Sequence, residues 1–526
     1  MENIDAKTLK AMVNDGEELA LLDVREDGQF GEGHLLFANP LPYSVLETRI
    51  DARVPRRSTR IVLVDDADGI AEKAAERLDA CGYTDIVKLD GGVAAWQSAG
   101  YELFRGVNVP CKAFGEVVEV TNHTPSISAE ELQAMFENSE NLVVLDSRTP
   151  AEFSRMSIPN GINVPGAELA YRVHDLAPSP ETLIVVNCAG RTRSIIGAQS
   201  LINAGIENKV VALRGGTQGW ILAGLKLDHG ATAKYRKVSS AGMARADALR
   251  NSVHNRYGIK KIDTATLEAW RSESEERSLY LFDVRDPSEY NAGHLPGAIS
   301  APGGQLVQSA DAWMGTRGAR VVLTDDNGVR ATMTAHWLMQ MCWDVYILVD
   351  AGNLTERTPP ENCVLGLDDL NIETIEPAAL SAELDAGTAV AVDVDLSIDY
   401  RTAHLPGAVW AVRPRLPEAI KSIPADRNIV LYSEHETRAR LAVIDTRAAT
   451  DCPVLVLKGG REAWKAAGLP TEKSPAVPQD TDCIDFLFWV HDRHSGNEAS
   501  MRDYLAWEEQ LPAQIEADGD AKYKIP

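Results

Sequence analysis

The chain has no apolar run long enough to cross a bilayer as a helix, which excludes a helical membrane protein. Its opening, MENIDAKTLK, is polar and acidic, unlike a secretory signal or a transit peptide. Cysteine is sparse: seven residues, an odd number, are scattered without a spacing pattern, so no disulfide framework is expected. A reducing cytoplasm is the expected compartment. Positive charge is also short. Lys and Arg total 52 against 77 Asp and Glu, a net charge of −25, which argues against a nucleic-acid or anionic-membrane partner. The same field repels small anions, so any anion site must carry its own local positive charge.

What remains is ordinary globular protein, with 44% hydrophobic and 25% charged residues. A length of 526 residues implies three to five domains. Internal repetition makes it four. An apolar strand ending in aspartate occurs at 21–25 (LLDVR), 144–148 (VLDSR), 281–285 (LFDVR) and 392–395 (VDVD). A second apolar strand follows at 61–64, 183–186, 321–324 and 429–432. From the strand aspartate to the residue after that second strand the spacing is 42 in three copies and 40 in the fourth. A glycine pair then precedes a tryptophan, Trp96, Trp220 or Trp464. The third copy breaks at Val349-Asp350-Ala351-Gly352-Asn353, and its last helix is expected to be missing.

Apolar runs without alternation, separated by helical stretches, predict strands buried on both faces of a parallel sheet. The fold class is therefore α/β, with four tandem domains, each a small parallel sheet flanked by helices. They are placed at 1–105, 125–228, 259–355 (truncated) and 373–472, with a tail at 473–526. The tail is expected to pack back through Phe486-Leu487-Phe488-Trp489 and to end in loose residues.

One loop differs from its three counterparts. Cys188-Ala189-Gly190-Arg191-Thr192-Arg193-Ser194 joins the second strand of the second copy to a helix. Such a position favours an anion, because amides and the positive end of the helix face it. The matching residues elsewhere are Asp65, Asp325 and Ser433, and no oxygen side chain can form a persulfide. Gly190 is expected to permit the turn, Arg191 and Arg193 to neutralise an oxyanion, and Ser194 to cap the helix. Asp146 and Arg148 recur as Asp23/Arg25 and Asp283/Arg285 without a cysteine, so they are assigned to the fold.

The Asp-x-Arg strand ends, GHLPGA at 293–298, AHLPGA at 403–408, the cysteine loop and the Gly-Gly-x-x-x-Trp run together resemble the rhodanese family. The whole chain is similar to a tandem four-domain rhodanese-type sulfurtransferase. The second copy departs from the pattern, with Met156-Ser157-Ile158-Pro159-Asn160 in place of Gly-His-Leu-Pro-Gly. The resemblance implies transfer of sulfane sulfur from thiosulfate or a similar donor to cyanide or a thiol, through a persulfide on Cys188. Four residues separate Cys188 from Arg193, one fewer than the related phosphatases and arsenate reductases are expected to have. No cofactor or metal is called for.

The expected partners are a small anionic donor and a thiol or cyanide acceptor. A persulfide-bearing protein, a homo-oligomer, and a scaffold role for the cysteine-less copies stay open. Two further assignments can be tested. The basic stretch 229–261, with Lys234, Arg236, Lys237, Arg245, Arg250, Arg256, Lys260 and Lys261, either bridges acidic domains or lines the Cys188 pocket. Cys111 is the best placed of the other cysteines to receive sulfur from Cys188.

Overall fold

The computed structural model describes residues 2–349, 354–361, 363–367 and 370–526. Each repeat forms a five-stranded sheet, all parallel, in the order first, fifth, fourth, second, third. In the second domain the strands are Ser126–Ile127, Leu142–Asp146, Ile162–Asn163, Leu183–Asn187 and Val210–Leu213. Val144 lies opposite Val185, which lies opposite Val211, so the apolar runs stack in the middle of the sheet. The order reverses between the second and fourth strands. Their carboxyl ends therefore open a crevice, the usual ligand position in such sheets. The Cys188 loop leaves the sheet there. No helix among the described residues is long and apolar enough to cross a membrane.

The strand-end aspartate and arginine make an internal clamp. Asp146 accepts from the backbone N–H of Arg148 at 3.1 Å, from its Nε at 2.9 Å and from its Nη2 at 2.7 Å. The guanidinium also donates to Met156 O. Arg25 and Arg285 repeat this against Asp23 and Asp283, reaching Gly33 O and Gly293 O. In the fourth domain Asp395 stands where the arginine should be. Arg461 crosses over instead, donating to Ala403 O at 2.8 Å with Asp395 at 3.2 Å. A buried strand end evidently requires one guanidinium, whatever its origin.

The GHLPG histidines are structural too. His34, His294 and His404 are buried and stack on Phe30, Tyr290 and Tyr400. Ser157 takes the same backbone place in the second domain, donating its N–H to Asp228 O at 2.8 Å. The missing histidine thus costs the second domain a stacked ring and leaves the local pairing intact. No helix lies between the strands Asp344–Leu348 and Glu373–Ile375 among the described residues. Residues 350–353 of the break expected there lie outside them.

The domains pair. One apolar cluster runs from the second domain through the helices Val109–Asn122 and Ser240–Tyr257 into the third. Buried Arg330 of the third domain donates to Glu168 of the second at 2.9 Å. The first and fourth domains meet through Arg413, which grips Glu47 and Asp445, while Tyr43 donates to Asp445 at 2.9 Å.

The tail returns over all four domains, bonding Ser397 and Arg401 of the fourth through Asp485 and Asp480 before it reaches the others. Its long helix, Glu498–Asp518, packs on the Val109–Asn122 helix and on the short Gly216–Leu222 helix. The final residues are not loose, as the sequence had suggested. Tyr523 packs its ring on Phe114 and donates to Pro110 O, and the Lys524 N–H donates to Gln340 O.

Candidate functional site

The Cys188 loop is short because it must connect Leu183–Asn187 directly to the helix Thr192–Ala204. A glycine pair holds it from behind. Gly216 has φ +54°, and a Cβ there would overlap Cys188 O. Its bare Cα lets the next two amides close on the loop: Thr217 N–H donates to Cys188 O at 2.9 Å and Gln218 N–H to Ala189 O at 3.1 Å. Gly92 and Gly460 make the same approach to Asp65 O and Ser433 O. This is the physical content of the Gly-Gly motif.

The loops differ in what their amides do. Among the described residues, the N–H groups of residues 189–193 donate to no protein acceptor. In the first domain Asp65 fills the cradle, accepting from Ala67 N–H at 2.9 Å and Ala71 N–H at 3.1 Å. In the third, Asp325 accepts from Gly328 N–H at 2.5 Å and Ala331 N–H at 3.1 Å. In the fourth, Ser433 Oγ accepts from Ala439 N–H at 3.3 Å. Cys188 thus opens a run of unused amide donors at a helix N-terminus, a position that stabilises an anion. Its S–H donates to Ser194 Oγ at 3.4 Å, and that hydroxyl donates to Arg191 O at 2.8 Å.

Several expected roles change. Ser194 lies in the first turn and does not cap the helix; Arg191 occupies the N-cap. Gly190 is outside the left-handed region, so no turn demands glycine there. Its bare Cα instead admits side chains from above. Where a Cβ would stand, Glu508 Oε2 is 3.1 Å away, Gln218 Nε2 3.4 Å and the Tyr504 ring 3.6 Å.

Neither arginine is left open for an anion. Arg193 forms a two-pronged pair with Glu152 at 2.7 and 2.8 Å. Burial works against its charge, but the Glu152 carboxylate beside it overrides this and keeps the guanidinium protonated. Arg191 binds Glu116 at 2.7 Å, Glu119, and Glu509 at 2.9 Å. Burial pushes the Glu116 carboxyl up to about 7, against the pull of Arg191.

The remaining expectations separate cleanly. The basic stretch does not line the Cys188 pocket. Its helix Ser240–Tyr257 packs between the second and third domains, and Arg250 donates to Asn327 O at 2.6 Å, on the third domain's own loop. Cys111 is no sulfur acceptor. It is buried, accepts from Ala310 N–H at 3.2 Å, and burial raises its thiol far above the ordinary range.

Sequence reasoning missed the roof of the site. Cys188 is only 2% exposed. Tyr504 and Glu508, spaced i, i+4 on the C-terminal helix, lie over the loop, and Lys112 from the Val109–Asn122 helix reaches both of them. Nothing in the local sequence shows where that helix docks. A groove of about 310 Å³ opens beside the loop, lined by Arg191, Arg214, Gly215, Leu505 and Glu509 among others.

Comparison with known proteins agrees with this architecture. A crystal structure of thiosulfate sulfurtransferase from Pseudomonas aeruginosa is 44% identical, covers 100% of both chains and superposes with a TM-score of 0.94. A sulfurtransferase from Allochromatium vinosum is 28% identical over 101 residues, 19% of this chain and 92% of that protein. The putative sulfur carrier protein YrkF of Bacillus subtilis is 28% identical over 186 residues, 31% of this chain and 96% of that one. The description "Rhodanese-like domain" matches residues 5–99, 128–223, 265–351 and 376–467, so the chain belongs to the rhodanese family and carries its domain four times.

Proposed function

We propose that the protein is a thiosulfate-type sulfurtransferase with one active domain, working through a persulfide on Cys188. The observation that carries this reading is the run of unused amides in the one of the four corresponding loops that begins with a cysteine. The Cys188 thiolate attacks the outer sulfur of thiosulfate. A Cys188 S–S bond forms, the donor's S–S bond breaks, and sulfite leaves with the electron pair. The free amides and the helix N-terminus hold the negative outer sulfur. Cyanide or a thiolate then attacks that sulfur, and the thiolate of Cys188 is restored. The charge of Arg193, fixed by Glu152, favours the thiolate in both half-reactions.

The name of the Pseudomonas protein supports thiosulfate as donor. The asparate-filled loops of the first and third domains support a structural or partner-recruiting role for those copies. All seven cysteines are unpaired, which fits a reducing compartment such as the cytoplasm. The test is mass spectrometry after incubation with thiosulfate. One added sulfur atom on Cys188, matched by released sulfite and absent from Cys188→Ser, is the expected result. An unmodified Cys188 with turnover retained in the variant overturns it.

A further inference from the structure

A loop built to receive an anion is roofed in this structure by a carboxylate. Glu508 is 1% exposed. Its Oε1 accepts from Lys112 Nζ at 3.3 Å and from Thr192 Oγ1 at 3.3 Å. Its Oε2 has no hydrogen-bond partner and lies against Gly190. Beside it, Gln218 is 3% exposed, and neither its amide nitrogen nor its amide oxygen has a partner. Buried polar atoms without partners are rare in folded proteins, because each costs free energy. Here two of them, Glu508 Oε2 and Gln218 Nε2, meet over Gly190 of the cysteine loop.

The helix carrying Glu508 is fastened away from the loop. At its far end Asp518 and the following Asp520 hold Lys10 at 3.2 and 2.7 Å, and Tyr523 donates to Pro110 O. Around Glu508 the helix backbone is held by apolar packing, Tyr504 on Leu487 and Val490 and Leu511 on Phe104 and Val109, so it is the side chain that can move. That side chain is held only by its Lys112 and Thr192 bonds, with the Lys112–Tyr504 contact and the Glu509–Arg191 pair beside it. Cations and a hydroxyl that bind a carboxylate will also bind a sulfonate. An incoming anion can therefore take over the partners that Glu508 gives up.

We propose that Glu508 is a gate that selects the sulfur donor: its carboxylate closes the Cys188 loop and yields to an anionic donor that replaces it on Lys112 and Thr192. The 310 Å³ groove lined by Arg191 and Arg214 is the approach. A donor without an anionic head has nothing with which to displace the carboxylate. This inference rests on the sulfurtransferase reading for its substrate, but the closure of the gate is a separate property.

The test uses the full chain, and two quantities are measured. One is the rate of Cys188 alkylation by iodoacetamide, a neutral reagent that needs no sulfur chemistry. The other is the KM for thiosulfate. Glu508→Gln weakens the bond to Lys112. Alkylation is expected to rise about tenfold, the effect of losing one charge-assisted hydrogen bond on a local opening equilibrium, and KM to fall. Lys112→Met also loosens the gate, so alkylation rises, but it removes the cation the donor needs, so KM rises. Should Glu508→Gln not fold, Tyr504→Phe, which cuts the other Lys112 contact, is expected to raise alkylation in its place. Alkylation within about twofold of wild type in every folded variant, or KM moving the same way in Glu508→Gln and Lys112→Met, overturns the proposal. Faster alkylation without any persulfide on Cys188 instead sinks the sulfurtransferase reading and leaves the gate standing.

Discussion

The loops that begin at Cys188 and Asp325 share a backbone plan, yet one is complete and the other is not. Asp325 satisfies its own loop, and Arg330 behind it is consumed by Glu168, Glu289 and Asp326. The Cys188 loop keeps its amides free, and Arg193 answers to one carboxylate, Glu152. A carboxylate at the first loop position turns an anion receptor into a closed structural turn. The third domain has spent its loop on the seam with the second.

The sharpest way to break this contrast is Cys188→Asp. The new carboxylate should take up the free amides as Asp65 and Asp325 do. Thiosulfate–cyanide turnover is expected to fall at least about a thousandfold, as when other covalent nucleophiles are removed, with no loss in melting temperature. The reciprocal Asp325→Cys, made in a Cys188→Ser background, should show no persulfide by mass spectrometry, because three acids already hold Arg330.

Next in size is Arg330→Met. It strips a buried guanidinium from Glu168 and is expected to cost about 3–5 kcal/mol in chemical denaturation. Arg438→Met, at the same position of the fourth domain, breaks no ion pair among the described residues and removes only a more distant attraction to Asp27, Asp395 and Asp485, so it should cost less than Arg330→Met.

Gly216→Ala forces a side chain into Cys188 O at φ +54°. About 2 kcal/mol of stability should be lost, together with most turnover. Gly92→Ala makes the same clash with Asp65 O in the first domain. It should lose comparable stability with kcat unchanged, measured in the same assay.

The smallest expected effect is on pH. Glu116 is pushed up to about 7 by burial, against Arg191, with Glu508 and Glu119 adding to the rise. Below that pH the carboxyl is neutral and releases part of its hold on Arg191. KM for thiosulfate should therefore fall severalfold from pH 8 to pH 6. Glu116→Gln should show the low value throughout; a pH dependence equal to wild type would count against this role for Arg191.

Much of this could be read in the chain itself. Strands flanked by helices follow from apolar runs without alternation, and four copies follow from the fixed spacing of Asp23, Asp146, Asp283 and Asp393. Cys188 stood out because its three counterparts carry oxygen. What could not be read was the use each charge is put to. Arg193 meets Glu152, 41 residues earlier, and Arg191 meets Glu116, 75 residues earlier. Such partners are chosen by tertiary packing and leave no local pattern. The same holds for Arg461, which repairs a clamp whose loss at Asp395 was visible while its replacement was not. The basic stretch leaves two readings open in the sequence because charge composition does not say which loop a helix meets; Arg250 meets Asn327.

The residues over Cys188 come from the far end of the polypeptide. Domains fold as the ribosome releases them, amino-terminal ones first. Where the second sheet closes before Tyr504 and Glu508 emerge, the growing chain carries that loop without the two side chains that lie over Gly190. A chain clipped behind the fourth sheet would lack them too, and what reaches the loop would then be decided by the loop itself.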